Sequence, residues 1–336
     1  MAAIDRPGSA DQTYVEAIKA RAGDELYRST SFAVSANDIR KHAMAVYWPD
    51  KPPRLFWDED YAKGTVWGGI VASEDFNPFA WALEGPGRFP MGLGNKRGRW
   101  LNALSDARYF VPIRPGDVIA ATETLLDPYE RSGASGRMLF VPTETRWTNQ
   151  RGELVKTQRG EEVLLMPQEK PPATRRSQTL RPAPPEQAAS SFAKSNPRFE
   201  DVEEGQALPP FERTTDLQYW NRFAAVNDEF EDIHMDADFA KARGDRDVLA
   251  MGHLRFSYMH SFLRLWIGDS GIIRRVSCQY RGIQYKGDTV TCRGNVVRKY
   301  AENAEHLVEI DLWVENQNGE KIGPGRALVA LPSDKD

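Results

Sequence analysis

The chain repeats itself, and this limits the folds open to it more than any other feature. In the first half VPIRPGDVIAATETLLD precedes WTNQRGELVKTQRGEEVLL, and in the second RGIQYKGDTVTCRGNVVR precedes WVENQNGEKIGPGRALVAL. In both, a Gly-Asp (Gly116-Asp117, Gly287-Asp288) opens a β-rich run. An Asn-Gln-x-Gly-Glu turn (Asn149 to Glu153, Asn316 to Glu320) follows, with alternating apolar residues on either side, which predicts hairpins. Upstream, WDEDYAK (Trp57 to Lys63) and MDADFAK (Met235 to Lys241) share Asp-x-Asp-aromatic-Ala-Lys. In the second copy HLRFSYMHSFLRLWIG comes next, with Leu254, Tyr258, Phe262 and Leu265 at helical spacing, so a long, largely apolar helix is expected there. Each half therefore reads as α+β: a short irregular segment, one buried helix and a run of antiparallel strands that wraps it. Two such units are expected to pack as a pseudo-dimer.

Between Pro167 and Pro197 the sequence turns rich in Pro, Ala, Ser and charge, which predicts an extended linker over residues 168–197. It separates a first unit, 25–167, from a second, 198–332, with an extension over 1–24. A chain of 336 residues that is 40% hydrophobic can fill a core in each. A formal net charge of −4 offers no basic field for nucleic acid or an anionic membrane surface. The amino terminus contains acids and has no apolar core of a leader, and no run approaches the roughly 18 apolar residues of a membrane helix, so a soluble, cytoplasmic protein is expected. Cys278 and Cys292 lie in strand-like runs and are expected as buried reduced thiols, with neither a disulfide framework nor a zinc pattern.

Aligning the two Asp-x-Asp motifs sets Phe56 opposite His234. The copies thus diverge at a position where one of them can move protons near neutral pH. His234 lies in NDEFEDIHMD, a polar stretch dense with carboxylates that suits a base oriented by an acid. His253 and His260 fall on the predicted helix, where a packing role is expected, and His42 and His306 have no acid-rich loop to single them out. Ser257 faces about the same side as His253, so it either donates to a ligand or bonds back to its own helix.

These residues resemble the MaoC-like dehydratases, or (R)-specific enoyl-CoA hydratases. That family's motif runs Tyr-Ala-x-x-Ser-Gly-Asp-x-Asn-Pro-Ile-His-x-Asp and is followed by Ile-Ala-His-Gly-Met; here FAAVNDEFEDIHMD (Phe223 to Asp236) is followed by VLAMGHL (Val248 to Leu254). The resemblance puts His234 on the catalytic histidine and Gly252 on the glycine whose N–H looks at the thioester oxygen. Glu229 takes the place of the catalytic aspartate, Asp228 that of the glycine before it, and Glu231-Asp232 that of Asn-Pro, leaving the acid partner of His234 open between Glu229 and Asp228. The first half is similar to the family's amino-terminal dehydratase-like domain through FVPIRPGDVI, YERSGASGRMLFVPTETRWTNQRGELV and the loss of the histidine.

What the resemblance implies is a double hotdog, two antiparallel sheets each wrapping a central helix, with one active site in the second half. It further implies reversible hydration of a 2-enoyl-CoA, or dehydration of a 3-hydroxyacyl-CoA, with no metal, flavin or nicotinamide. Ser257, His253 and Arg255 would then touch substrate. The Gly-rich segment Gly85 to Trp100 reads as a flexible loop whose Lys96, Arg97 and Arg99 are alternatively placed at the CoA phosphates. Trp48, Trp57, Trp67, Trp81, Trp220 and Trp266 are either core or the lining for a bulky acyl group. Two rival functions are a non-catalytic acyl-thioester-binding subunit and a hotdog thioesterase in which Glu229 or Asp228 acts on water directly. A fused pseudo-dimer either stands alone or pairs again as a homodimer.

Overall fold

A computed structural model describes residues 7–81, 99–133, 136–166 and 195–334. The first half contains α1 (Pro7–Lys19), β1 (Glu25–Thr30), α2 (Ala36–Val46), α3 (Glu59–Lys63), β2 (Arg99–Tyr109), β3 (Ile119–Leu125), β4 (Tyr129–Gly133), β5 (Gly136–Asn149) and β6 (Leu154–Leu165). The second contains β7 (Phe211–Thr214), α4 (Leu217–Asn227), α5 (Asp232–Met235), α6 (Ala237–Ala242), α7 (Gly252–Ile267), β8 (Ile272–Gln279), β9 (Thr289–Glu302), β10 (Glu305–Asn316) and β11 (Lys321–Ala330).

The duplication reaches down to single hydrogen bonds. Gly116 and Gly287 adopt φ of 90° and 82°, the left-handed region that favours glycine. The aspartate after each is buried and accepts a backbone N–H from three residues upstream: Arg114 N to Asp117 Oδ2 and Tyr285 N to Asp288 Oδ2, both at 2.9 Å. The Asn-Gln-x-Gly-Glu hairpins also match, since Asn149 Oδ1 accepts from Arg151 N and Glu153 N, and Asn316 Oδ1 from Asn318 N and Glu320 N, at 3.0 and 3.1 Å in each. The first Asp of each Asp-x-Asp motif is a helix N-cap: Asp58 accepts from Tyr61 N, and Asp236 from Asp238 N and Phe239 N. What the sequence repeats, then, is turn and cap chemistry.

Strand order is β1-β3-β5-β6-β2 in the first half and β8-β11-β10-β9-β7 in the second, the same path read in opposite directions. The two meet at β2 and β8, which pair antiparallel with Ser105 opposite Cys278 and Ala107 opposite Val276. The expectation of two separate sheets is corrected here: the described strands form one continuous 11-stranded antiparallel sheet. An unpaired strand edge exposes a row of N–H and C=O groups, and pairing β2 with β8 satisfies both edges at once.

Among the described residues, a long central helix of the kind expected in each half is found in the second half alone. α7 has 16 residues, most of them buried. Residues 64–81 of the first half run as turns and bends, and 82–98 lie outside the described residues. Gly64, Gly68, Gly69 and Pro78 interrupt any helix over that stretch. The first half instead contributes α2, which begins at a capping box on Ser35 and packs against α4, with Tyr219 Oη donating to the Val46 carbonyl. One core joins the halves, running from Ile39, Ala43 and Phe56 to Trp220, Phe262 and Trp266. A smaller cluster under β3, β5 and β6 takes in Val15 and Ile18 of α1, so part of the extension is packed into the first unit. The segment 168–194, most of the expected linker, lies outside the described residues. Cys278 and Cys292 are buried free thiols.

Between α2 and α7 the shared core becomes polar. His42 Nδ1 lies 3.2 Å from Ser73 Oγ and its Nε2 lies 3.9 Å from Asp75 Oδ2, while His260 bonds to Tyr109 Oη at 2.7 Å. Ser73 and Ser257 donate to Asp75; burial opposes its ionisation, but His42, His260 and the two hydroxyls hold the carboxyl below its usual range. Burial pushes the pKa of both His42 and His260 below the ordinary value of 6.5. As pH falls through about 6.5, the unfolded chain takes up protons that these folded histidines refuse, so stability drops by up to about 1.4 kcal/mol per pH unit for each. A melting temperature lower by about 4 °C at pH 5.5 than at pH 7.5 is expected in calorimetry, and an unchanged or higher one contradicts this picture.

Candidate active site

Two loops stitched together build the site. The chain leaves α4 through Asp228, whose φ of 53° and ψ of 50° are left-handed, and Glu229 N returns to the Ala224 carbonyl at 2.9 Å. Asp228 stands where the resembling motif has glycine, and its backbone conformation accounts for that glycine. The turn carries the chain into α5, which holds His234. From the other side, Ala250 N bonds to the Gln284 carbonyl at 2.8 Å and Leu249 N to the Ile233 carbonyl at 3.3 Å. The segment leading into α7 is thereby tied both to the loop between β8 and β9 and to the histidine loop.

His234 is 7% exposed, and its Nδ1 lies 2.7 Å from the carbonyl oxygen of Leu249. A carbonyl only accepts, so Nδ1 carries the proton and neutral imidazole keeps its lone pair on Nε2. That nitrogen faces Glu231, whose Oε2 is 3.7 Å away. Glu229 is buried and turns toward His253, with Oε1 3.5 Å from Nδ1. The carboxylate at Nε2 is thus neither of the two weighed from sequence. Glu231 sits three residues before His234 across the short α5, a helical spacing that was the available signal.

Gly252 opens α7, where backbone N–H groups lack helical acceptors and the helix dipole is positive. A Cβ at Gly252 would lie 2.4 Å from Asn102 Nδ2 and 3.4 Å from Tyr280 Cε1, so the helix start is pressed against β2 of the first half and the end of β8. Tyr280 Oη in turn meets Ser105 Oγ of β2 at 3.1 Å. Asn102 and Tyr280 had no motif to announce them. His253, next to Gly252, is exposed on the Glu229 side. Ser257 and Arg255 face elsewhere: Ser257 is 3% exposed and bonds to Asp75, and Arg255 is 5% exposed with its guanidinium on the Ile322 carbonyl at 3.0 Å. Gly323 makes room for it, since a Cβ there would come within 3.0 Å of Arg255 Cδ.

Of the tryptophans, Trp220 and Trp266 are core, whereas Trp81 is exposed, donates to the Ala225 carbonyl at 2.7 Å and sits with its ring 5.9 Å from Phe230, beside Glu229. Lys96 and Arg97 lie outside the described residues, and Arg99 is paired with Asp245 at 2.9 Å.

The fold is of the hotdog type and is similar to that of MaoC-like dehydratases. Residues 20–158 match the family model described as FAS1-like, dehydratase domain region. Among solved structures, a MaoC-like dehydratase superposes with a TM-score of 0.75 at 22% identity, covering 94% of this chain and 100% of that one. A putative MaoC domain protein dehydratase from Chloroflexus aurantiacus J-10-fl gives 0.66 at 14% identity, over 93% of this chain and 96% of that one. A MaoC-like dehydratase from Phytophthora capsici gives 0.58 at 13% identity, over 95% and 99%. A search of curated proteins by sequence finds no match. Among the described residues no helix is long and apolar enough to cross a membrane.

Proposed function

We propose that the chain is a double hotdog whose second half carries a single hydro-lyase site adding water reversibly to a 2-enoyl-CoA. The observation that carries this reading is the 2.7 Å contact of His234 Nδ1 with the Leu249 carbonyl, which favours the proton on Nδ1 and leaves Nε2 a base, aimed at a carboxylate. Two acceptors 3.7 Å apart are satisfied together by one water that donates a hydrogen to each, leaving an oxygen lone pair for Cβ of the enoyl group. As that oxygen attacks, Nε2 takes one proton, the C=C electrons move toward the thioester, and charge gathers on its carbonyl oxygen. The Gly252 N–H, with the α7 dipole behind it, stabilises that charge. The His234–Glu231 pair then returns the proton to Cα, and dehydration is the same path reversed. The site calls on no cofactor beyond the thioester. Trp81 and Phe230, exposed beside Glu229, support an apolar and bulky acyl group.

Because Glu231 rather than Glu229 faces the base, Glu231→Gln is expected to lower kcat for hydration by about 10²-fold, with a smaller effect for Glu229→Gln. Initial rates on one enoyl-CoA decide it; the reverse ranking moves the acid to Glu229.

A further inference from the structure

The repeat that aligns Phe56 with His234 also sets Glu74 opposite Gly252, and the Gly-Asp repeat sets Tyr109 opposite Tyr280. The Asn-Gln-x-Gly-Glu repeat sets Lys156 opposite Gly323. Glu74, Tyr109 and Lys156 converge in space: together with Trp67, Trp147 and Ile273 they line a cleft at the far end of α7. About 510 Å³ of space lies in it, part of it open to solvent. The cleft is the first half's counterpart of the His234 site, with its histidine replaced by a core phenylalanine and its helix-start glycine by a glutamate.

What it has gained is a cation. Lys156 is 5% exposed, and its Nζ sits 3.3 Å from the centroid of the Trp147 ring. Among the described residues no carboxylate pairs with it, although burying an unpaired ammonium is costly. Of the neighbouring charges, Arg264 binds the carbonyls of Gly268 and Gly271 and pairs with Glu74, and Asp75 lies on the His42 side with its Oδ2 3.9 Å from Nε2. Trp67, Trp147, Phe110, Ile113, Ile272 and Ile273 supply apolar and aromatic walls.

We propose that this cleft is a second, non-catalytic binding site for an organic carboxylate with an apolar or aromatic body, its anionic end on Lys156 and its body between Trp67 and Trp147. A carboxylate supplies the acceptor and the opposite charge that the buried amine lacks. The site stands apart from the proposed hydration, since Gly252 and Arg264 lie at opposite ends of α7, about 18 Å apart along the helix at 1.5 Å per residue. Binding carries a pH signature. Burial pushes the Lys156 pKa down to about 7, against the opposing pull of Asp75. The groups facing it are Asp75 and Glu74 from the loop, Tyr109 from β2, and His260 and Arg264 from α7. Only the ammonium pairs with an anion, so affinity weakens as pH rises above about 7, by up to about tenfold per unit.

The test is calorimetric titration of the full chain with benzoate, phenylacetate and octanoate at pH 6.5 and 8.5. Saturable one-to-one binding of at least one probe is expected, weaker at pH 8.5 and weakened about tenfold or more by Lys156→Met. His234→Ala is expected to bind the same probe unchanged. The proposal is overturned by wild-type protein that binds none of the three, by equal affinity in Lys156→Met, by affinity independent of pH, or by loss of binding in His234→Ala. Failure of the hydration reading alone leaves each of these outcomes readable.

Discussion

His234→Ala is expected to slow hydration of a 2-enoyl-CoA by about 10³-fold, because it removes the group that accepts the proton of the attacking water. It also leaves the Leu249 carbonyl without its donor in a buried place, which costs about 1–3 kcal/mol of stability. The two effects separate with His234→Asn, whose amide N–H remains a donor for that carbonyl but whose side chain offers no base. Steady-state rates and thermal melts on both variants check the point. Activity lost in both, with stability largely kept by His234→Asn, is the expected pattern. Rates near wild type in His234→Asn would reduce the histidine to a structural latch between the two loops.

Gly252→Ala is expected to lower kcat/KM by about 10²-fold, in line with the loss of one preorganised oxyanion donor. The added methyl would occupy a point 2.4 Å from Asn102 Nδ2, so either that amide or the first turn of α7 must move. The helix start is fixed by the Ala250–Gln284 and Leu249–Ile233 hydrogen bonds, and any shift there turns the Gly252 N–H away from the thioester. Asn102→Ala opens the space, and the double variant is expected to recover part of the activity. Kinetics on the single and double variants test this. A Gly252→Ala enzyme with unchanged kcat/KM contradicts the assignment of the N–H. The same geometry ties the two halves together, since β2 provides the surface against which α7 starts.

The parts of the fold that could be read from sequence are those whose physics is local. Gly116, Gly287, Gly152 and Gly319 take positive φ in turns that their neighbours complete, so the hairpins were legible in the residues themselves. The same holds for the caps at Asp58 and Asp236 and for the apolar face of α7. The pairing of β2 with β8 joins residues far apart in the chain, and neither strand announces its partner. It converts the expected pair of sheets into one. At the candidate site, divergence and motif pointed to His234 and Gly252, but the turn at Asp228 sends Glu229 toward His253 and leaves Glu231 beside His234 Nε2. That choice depends on one backbone conformation. His42 and Lys156 gave no signal because their partners, Asp75 and Trp147, come from distant segments.

The most direct test of the His234 centre is to incubate the wild-type chain with a 2-enoyl-CoA in ¹⁸O-labelled water and follow both the acyl product and free thiol. The expected product is a 3-hydroxyacyl-CoA carrying the label at Cβ, with the thioester intact. Release of CoA thiol with label in a free carboxylate would make the protein a thioesterase, and no turnover of any enoyl-CoA would leave it a binding subunit.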